Sequence, residues 1–142
     1  MGQVSRRPAR IFAMQTLYVM EINACTPGDA IPAVLDSEDF APDMQEYGMK
    51  LVDLVLAHRQ EFDKTLREMS TQWDLERIAL LDRILIHIGF AELSHCGDVP
   101  VKVALQEAVQ IANKYSTEQS GRFINGILDR FARNRNLLGE SV

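Results

Sequence analysis

The 142-residue chain has few cysteines, few histidines and no long apolar run, and each shortage removes a class of explanation. Cys25 and Cys96 are far apart in the chain and are its only cysteines, which excludes a disulfide framework. A reducing, cytoplasmic setting is the simplest expectation. The longest apolar stretch, around Ile84 to Leu93, is interrupted by His87 and Glu92, so no segment suits a membrane crossing. The start of the chain has neither the apolar core nor the small-residue cleavage site of a secretory signal. His58, His87 and His95 share no metal-ligand spacing, and the side chains of the neighbours His95 and Cys96 diverge at a helix end. Gly121 and Gly126 lie inside a helical pattern, not in a phosphate-cradling turn after a strand. Asp36, Glu38 and Asp39 fall on an acidic loop where solvation explains them, and no nucleophile–base pair can be assembled. The chain therefore reads as a non-enzyme with no metal and no cofactor.

Positive charge is also scarce, and its distribution is uneven. The formal net charge is -5. From Arg10 to Lys50 there is no base, while Glu21, Asp29, Asp36, Glu38, Asp39, Asp43 and Glu46 accumulate. By contrast Arg6, Arg7 and Arg10 share one helical turn, with no acid in the first twenty residues. Such a patch raises the local concentration of a polyanion whatever the total charge, although a solvated helix face would look the same.

Apolar spacing points to an all-α chain of six or seven helices. The hydrophobic fraction of 46% and length fit a single domain over 1–142, with its core at about 5–132 and a frayed tail at 134–142. Ser5 can start the first helix with Pro8 in its first turn, and Ala9, Phe12, Ala13, Thr16, Leu17 and Met20 make its buried face. Thr26-Pro27-Gly28 reads as a breaker, followed by a short helix around Ala30 to Leu35 and an acidic loop to Pro42. Asp43 can cap a strong amphipathic helix from Met44, with a bend expected between His58 and Glu61 before Phe62, Leu66 and Met69. Residues 74–93 are apolar nearly all round, which predicts a helix covered on several sides with Asp74 as its cap. Asp98-Val99-Pro100 opens another helix. The last helix begins at Ser116 or Thr117, where Ser116-x-x-Gln119 matches a capping box, and its apolar face is Phe123, Ile124, Ile127, Leu128 and Phe131.

The C-terminal half carries a recognisable pattern. Trp73-x-x-x-Arg77-x-x-x-x-Asp82-x-x-Leu85 runs on to Ala91-Glu92-Leu93. Asp98-Val99-Pro100 follows, then Glu107-Ala108-Val109, Ala112 and Tyr115, and finally Phe123-Ile124-Asn125-Gly126-Ile127-Leu128-Asp129. With Arg6-Arg7-Pro8-Ala9-Arg10 ahead of Ala13 and Leu17-Tyr18, this order resembles the bacterial transcription antitermination factor family NusB over residues 5–132. The resemblance implies two small helical bundles packed together and binding of single-stranded boxA RNA in ribosomal RNA leaders. It implies a heterodimer with ribosomal protein NusE and action on the RNA polymerase elongation complex through other Nus factors. Some members of the family pair as homodimers.

Carried over by position, the RNA side would use Arg6, Arg7, Arg10, Lys114, Arg122 and Phe123. Guanidinium groups fork onto phosphates, and an aromatic ring offers a stacking face to an unpaired base. Phe123 is also in phase with Ile127, as a core residue would be. Tyr18 and Asp82 match positions that contact the NusE partner. Pro8 shortens the basic arm relative to relatives with an unbroken arginine run. Three phosphate contacts predict a log–log salt slope of roughly -2, and an Arg6, Arg7, Arg10 triple alanine variant is expected to stay helical while losing RNA. Two other readings remain at this stage: a detached RNA-targeting domain like that of ribosomal RNA cytosine methyltransferases, and a protein-only interaction module.

Overall fold

Pro8 stands in the first turn of the first helix, where its missing N–H costs nothing. In the computed structural model, which describes residues 5–70 and 78–137, that helix is α1, Arg7–Asn23. The Ser5 hydroxyl accepts from the Arg7 N–H at 3.2 Å, so it serves the helix start as expected. Ala24, in the left-handed region at φ 50°, ends α1.

The Thr26-Pro27-Gly28 breaker is at the same time a starter. Thr26 accepts from the Asp29 N–H at 3.2 Å and Pro27 takes the first turn of α2, Pro27–Ser37, which is longer than expected. Helix α3, Pro42–Ala57, is capped at Ala41. Asp43 thus sits inside the first turn, where a carboxylate complements the helix dipole, and not at the expected cap. The chain bends at His58 into α4, Arg59–Met69. Helix α5 is Leu80–His95, preceded by non-helical Ile78 and Ala79. The expected cap Asp74, with Trp73 and Arg77, lies outside the described residues. Helix α6 is Val101–Tyr115, and α7, Glu118–Asn134, is capped by Thr117, whose hydroxyl accepts from the Ser120 N–H at 2.9 Å. Of the two expected starts the helix takes Thr117, and the capping-box serine Ser116 is not the cap.

All regular elements among the described residues are helices, and they form two sub-bundles. Helices α1, α2 and α3 pack together, as do α5, α6 and α7, with α4 touching α3 and α5. The all-round apolar α5 joins the halves, meeting α1 and α3 on one side and α6 and α7 on the other. Its Leu85, Ile86, Phe90 and Ala91 are buried, and Phe90 stacks on Phe131 of α7 at 4.2 Å between ring centroids.

Close approach of α1 and α3 depends on Gly48. A Cβ there would lie 2.7 Å from Phe12 Cδ2 and 2.8 Å from the Ala9 carbonyl oxygen. Alanine normally strengthens a helix by about 1 kcal/mol over glycine. Here the backbone contact reverses the sign, and Gly48→Ala should cost about 1–3 kcal/mol in urea unfolding; a stabilised variant would contradict the close packing.

His87 faces α4 from α5. Its Nε2 lies 2.9 Å from Asp63 Oδ1, and its ring rests near that of Phe62. Burial pushes the imidazole down to about 4, outweighing the nearby Asp63 carboxylate, while Arg83 pushes in the same direction as burial. The unfolded chain takes up this proton near pH 6.5, whereas the folded chain refuses it until about pH 4. The stability from neutral His87 is therefore complete above pH 6.5 and is lost as pH falls toward 4. Melting temperature should drop between pH 7 and pH 5, and His87→Gln should flatten that drop.

Candidate RNA interface

The first turn of α1 aims its three arginines at the second sub-bundle. Arg6 donates to Asp98 Oδ2 at 3.0 Å, and its guanidinium carbon lies 4.3 Å from the centroid of the Tyr47 ring. Arg7 forms a two-pronged pair with Glu107 at 2.9 and 2.8 Å. Arg10 donates to Glu92 Oε1 at 2.8 Å and lies 3.7 Å from Glu107. Each arginine thus meets a carboxylate from α5, α6 or the turn between them.

These pairs differ in what they allow. Arg6 and Arg7 keep 38% and 45% of their side-chain surface, but Arg10 keeps only 3%. Arg10 is a correction to the sequence expectation: its guanidinium is enclosed and cannot offer itself to a phosphate. It is a structural cation that ties α1 to α5. Partial burial works against the charge on Arg6, yet the Asp98 hydrogen bond and the field of Tyr47 raise its pKa overall. The Arg6 hydrogen bond in turn holds Asp98 below the ordinary carboxylate range, and the Arg7 hydrogen bond does the same for Glu107.

Between α1, α3 and the start of α6 lies an open groove of about 930 Å³, lined in part by Arg6, Tyr47, Lys50, Asp98 and Glu107. Tyr47 donates to Glu92 Oε2 at 2.7 Å, and burial, helped by Glu92, pushes its phenol above its ordinary value. Lys50 Nζ sits 5.8 Å from the same ring. Sequence reasoning missed Lys50 because it is an isolated base on α3; only the packing of α3 on α1 brings it beside Arg6.

The other expected RNA residues lie elsewhere. Lys114 is exposed two turns beyond Glu107 on α6, with Nζ 5.4 Å from the Tyr115 ring centroid. Arg122 is exposed on α7 and lines a separate depression between α6 and α7 with Val109, Asn113 and Asn125. Phe123, half-buried, packs against the hydrophobic core, as its phase with Ile127 suggested. The arginine turn and Arg122 therefore occupy two depressions and do not form the walls of one. Of the partner residues, Tyr18 is 40% exposed, one turn before the more open Ile22. Asp82 is buried and accepts from the Ser120 hydroxyl at 2.8 Å, so it joins α5 to the start of α7 and is not a solvated acid.

Comparison with known proteins gives a consistent result. Residues 7–133 match the model of the NusB family. The transcription antitermination protein NusB of Symbiobacterium thermophilum is 38% identical over 138 residues, covering 92% of this chain and 90% of that protein. The protein of the same description from Myxococcus xanthus is 35% identical over 132 residues, covering 90% and 94%. Among solved structures, T. maritima NusB superposes with a TM-score of 0.82 at 27% identity, covering 93% of both chains. A crystal structure of antitermination factors NusB and NusE in complex with dsRNA gives 0.80 at 26% identity, covering 91% of this chain and 96% of that one.

Proposed function

This chain belongs to the NusB family, and from that premise we propose that it is an RNA-binding transcription antitermination factor. Paired with ribosomal protein NusE, it binds boxA-type single-stranded RNA in ribosomal RNA leaders and keeps RNA polymerase processive. The observation that carries this reading is the family match over residues 7–133, which spans both sub-bundles and every element that positions the arginine turn. The chemistry agrees. Arg6 and Arg7 are accessible cations at one edge of the molecule, Lys114 extends their line along α6, and Arg122 adds a second foothold on α7. Arg10 and Phe123 support these residues from within. Tyr18 supplies an amphipathic contact of the kind enriched at protein interfaces, and Asp82 contributes by anchoring the α5–α7 junction.

The test is fluorescence anisotropy of a boxA RNA and a scrambled RNA, each titrated with this chain in the presence and absence of NusE. Tight binding of boxA only with NusE present is expected, and equal binding of both RNAs would overturn the assignment. Tyr18→Ala should weaken NusE binding by about tenfold, as loss of an interfacial tyrosine can, and leave the affinity of the isolated chain for RNA unchanged.

A further inference from the structure

Lys102, Lys114 and Arg122 stand exposed on α6 and α7 in a chain of net charge -5. The other three bases of residues 101–135 are engaged: Arg130 donates to the Met69 carbonyl, Arg133 pairs with Asp129, and Arg135 lies 4.0 Å from Glu61. Of the acids there, Glu107 is turned toward Arg7 and Arg10. Along these two helices run two adjoining depressions of about 350 and 320 Å³ that share Val109 and Asn125. Lys102 stands at one and Arg122 at the other, and neither has a carboxylate within ion-pair distance among the described residues. Between them the polar lining is mostly amide, from Gln106, Gln110, Asn113 and Asn125, with the carboxylate of Glu118 at the Arg122 end and Leu105 and Val109 as its apolar part.

Glycine placement adds an independent sign. At Gly121 a Cβ would lie 2.3 Å from Asn113 Oδ1, so that glycine is required for α6 to meet α7. At Gly126 a Cβ would meet nothing within 4 Å among the described residues. Gly126 weakens an exposed helix by about 1 kcal/mol relative to alanine, with no neighbour among the described residues to require it. It lies beside Asn125 and one turn from Arg122, where an approaching ligand would need the space.

We propose that the α6–α7 groove reads unpaired bases of the bound RNA strand. The amides of Gln106, Gln110 and Asn125 address base edges, Lys102 and Arg122 hold the flanking phosphates, and Gly126 admits the strand. An amide donates and accepts at once, which matches the paired donor and acceptor of a base edge. A-form duplex hides those edges in a deep, narrow groove, so the ligand is unpaired RNA. Phosphate contacts alone give affinity without choice, and this groove supplies the choice. The inference rests on the boxA-binding reading above.

The test uses the full chain with NusE and compares boxA RNA, a base-substituted boxA RNA and a boxA duplex. A Gln106→Ala, Gln110→Ala, Asn125→Ala variant keeps its fold, because alanine is the better helix former at exposed sites. It should lose about tenfold in affinity for boxA, the scale of one bidentate amide–base pair. Affinity for the substituted RNA and the salt slope should not change. Lys102→Ala with Arg122→Ala should instead weaken both single strands alike and make the log–log slope shallower by about 1.4. Gly126→Ala should melt at a higher temperature yet bind boxA more weakly. Wild-type discrimination in the triple amide variant would overturn this inference alone. Equal losses on all three RNAs, or a loss of NusE binding in place of RNA binding, would do the same. Failure of the wild-type complex to prefer boxA would overturn the functional reading and this inference with it.

Discussion

Glu92→Ala is expected to cost the fold about 3–5 kcal/mol, the scale seen when one partner is removed from a buried ion pair. Its side chain retains 1% of its surface and that of Arg10 3%. Both carboxylate oxygens are used, one by the Arg10 guanidinium at 2.8 Å and the other by the Tyr47 hydroxyl at 2.7 Å. Without the acid, the ion pair left to the buried guanidinium among the described residues is Glu107 at 3.7 Å, and the Tyr47 hydroxyl loses its acceptor. Arg10→Ala should be destabilising on the same scale, since it leaves an unpaired buried carboxylate. The double change Arg10→Met with Glu92→Leu removes both charges and should recover much of the loss. Urea midpoints for the two single variants and the double close a thermodynamic cycle. Single variants within about 1 kcal/mol of wild type would show that the pair does not bind the two sub-bundles together.

That pair also revises how the basic turn is to be tested. A triple alanine variant of Arg6, Arg7 and Arg10 confounds loss of an RNA contact with loss of a core ion pair, so retained helicity is no longer expected of it. The position of Arg10 could have been read from the sequence in part. It is in phase with Ala13 and Leu17 on the buried side of α1, and Glu92 is flanked by apolar residues in α5, whose other acid, Asp82, is in the first turn. Two isolated opposite charges, each on an apolar face, suggest a buried pair. Which acid meets which base was not readable, because it depends on how helices 82 residues apart in sequence cross.

Elsewhere the sequence was most informative where a signal is local and least where two local signals compete. The apolar surround of α5 and the bend at His58 were legible from periodicity alone. Thr26-Pro27-Gly28 was read only in part: α1 does end ahead of it, but its role as the cap and first turn of α2 was missed, because a helix stop and a cap followed by proline use the same residue types. Ser116 and Thr117 are adjacent hydroxyls, and only the backbone decides that Thr117 takes the extended cap conformation. Lys50 joins Arg6 only through the α1–α3 contact that Gly48 permits.

With Arg10 assigned to the core, the RNA contribution proposed for the turn falls to two side chains, and Arg6→Ala with Arg7→Ala is the variant that tests it. Each phosphate contact on a single strand adds about 0.7 to the magnitude of the salt slope, so the pair should account for about 1.4. Between 1 M and 0.1 M salt that is about fivefold in affinity per contact, or about 25-fold for both. The variant should bind boxA RNA about that much more weakly at 0.1 M salt, converge on wild type near 1 M, and melt close to wild type because the Arg10–Glu92 pair is intact. The carboxylates give the opposite sign. Arg6 is held by Asp98, whose side chain is 60% exposed, so a phosphate must displace an anion already in place. Asp98→Asn frees that guanidinium and removes a repelling charge without disturbing the core. RNA affinity should rise by roughly two- to fivefold at low salt, and the gain should shrink as salt screens the site. A double-arginine variant that binds boxA as wild type does, together with an Asp98→Asn variant that shows no gain, would move the RNA contact away from α1 altogether.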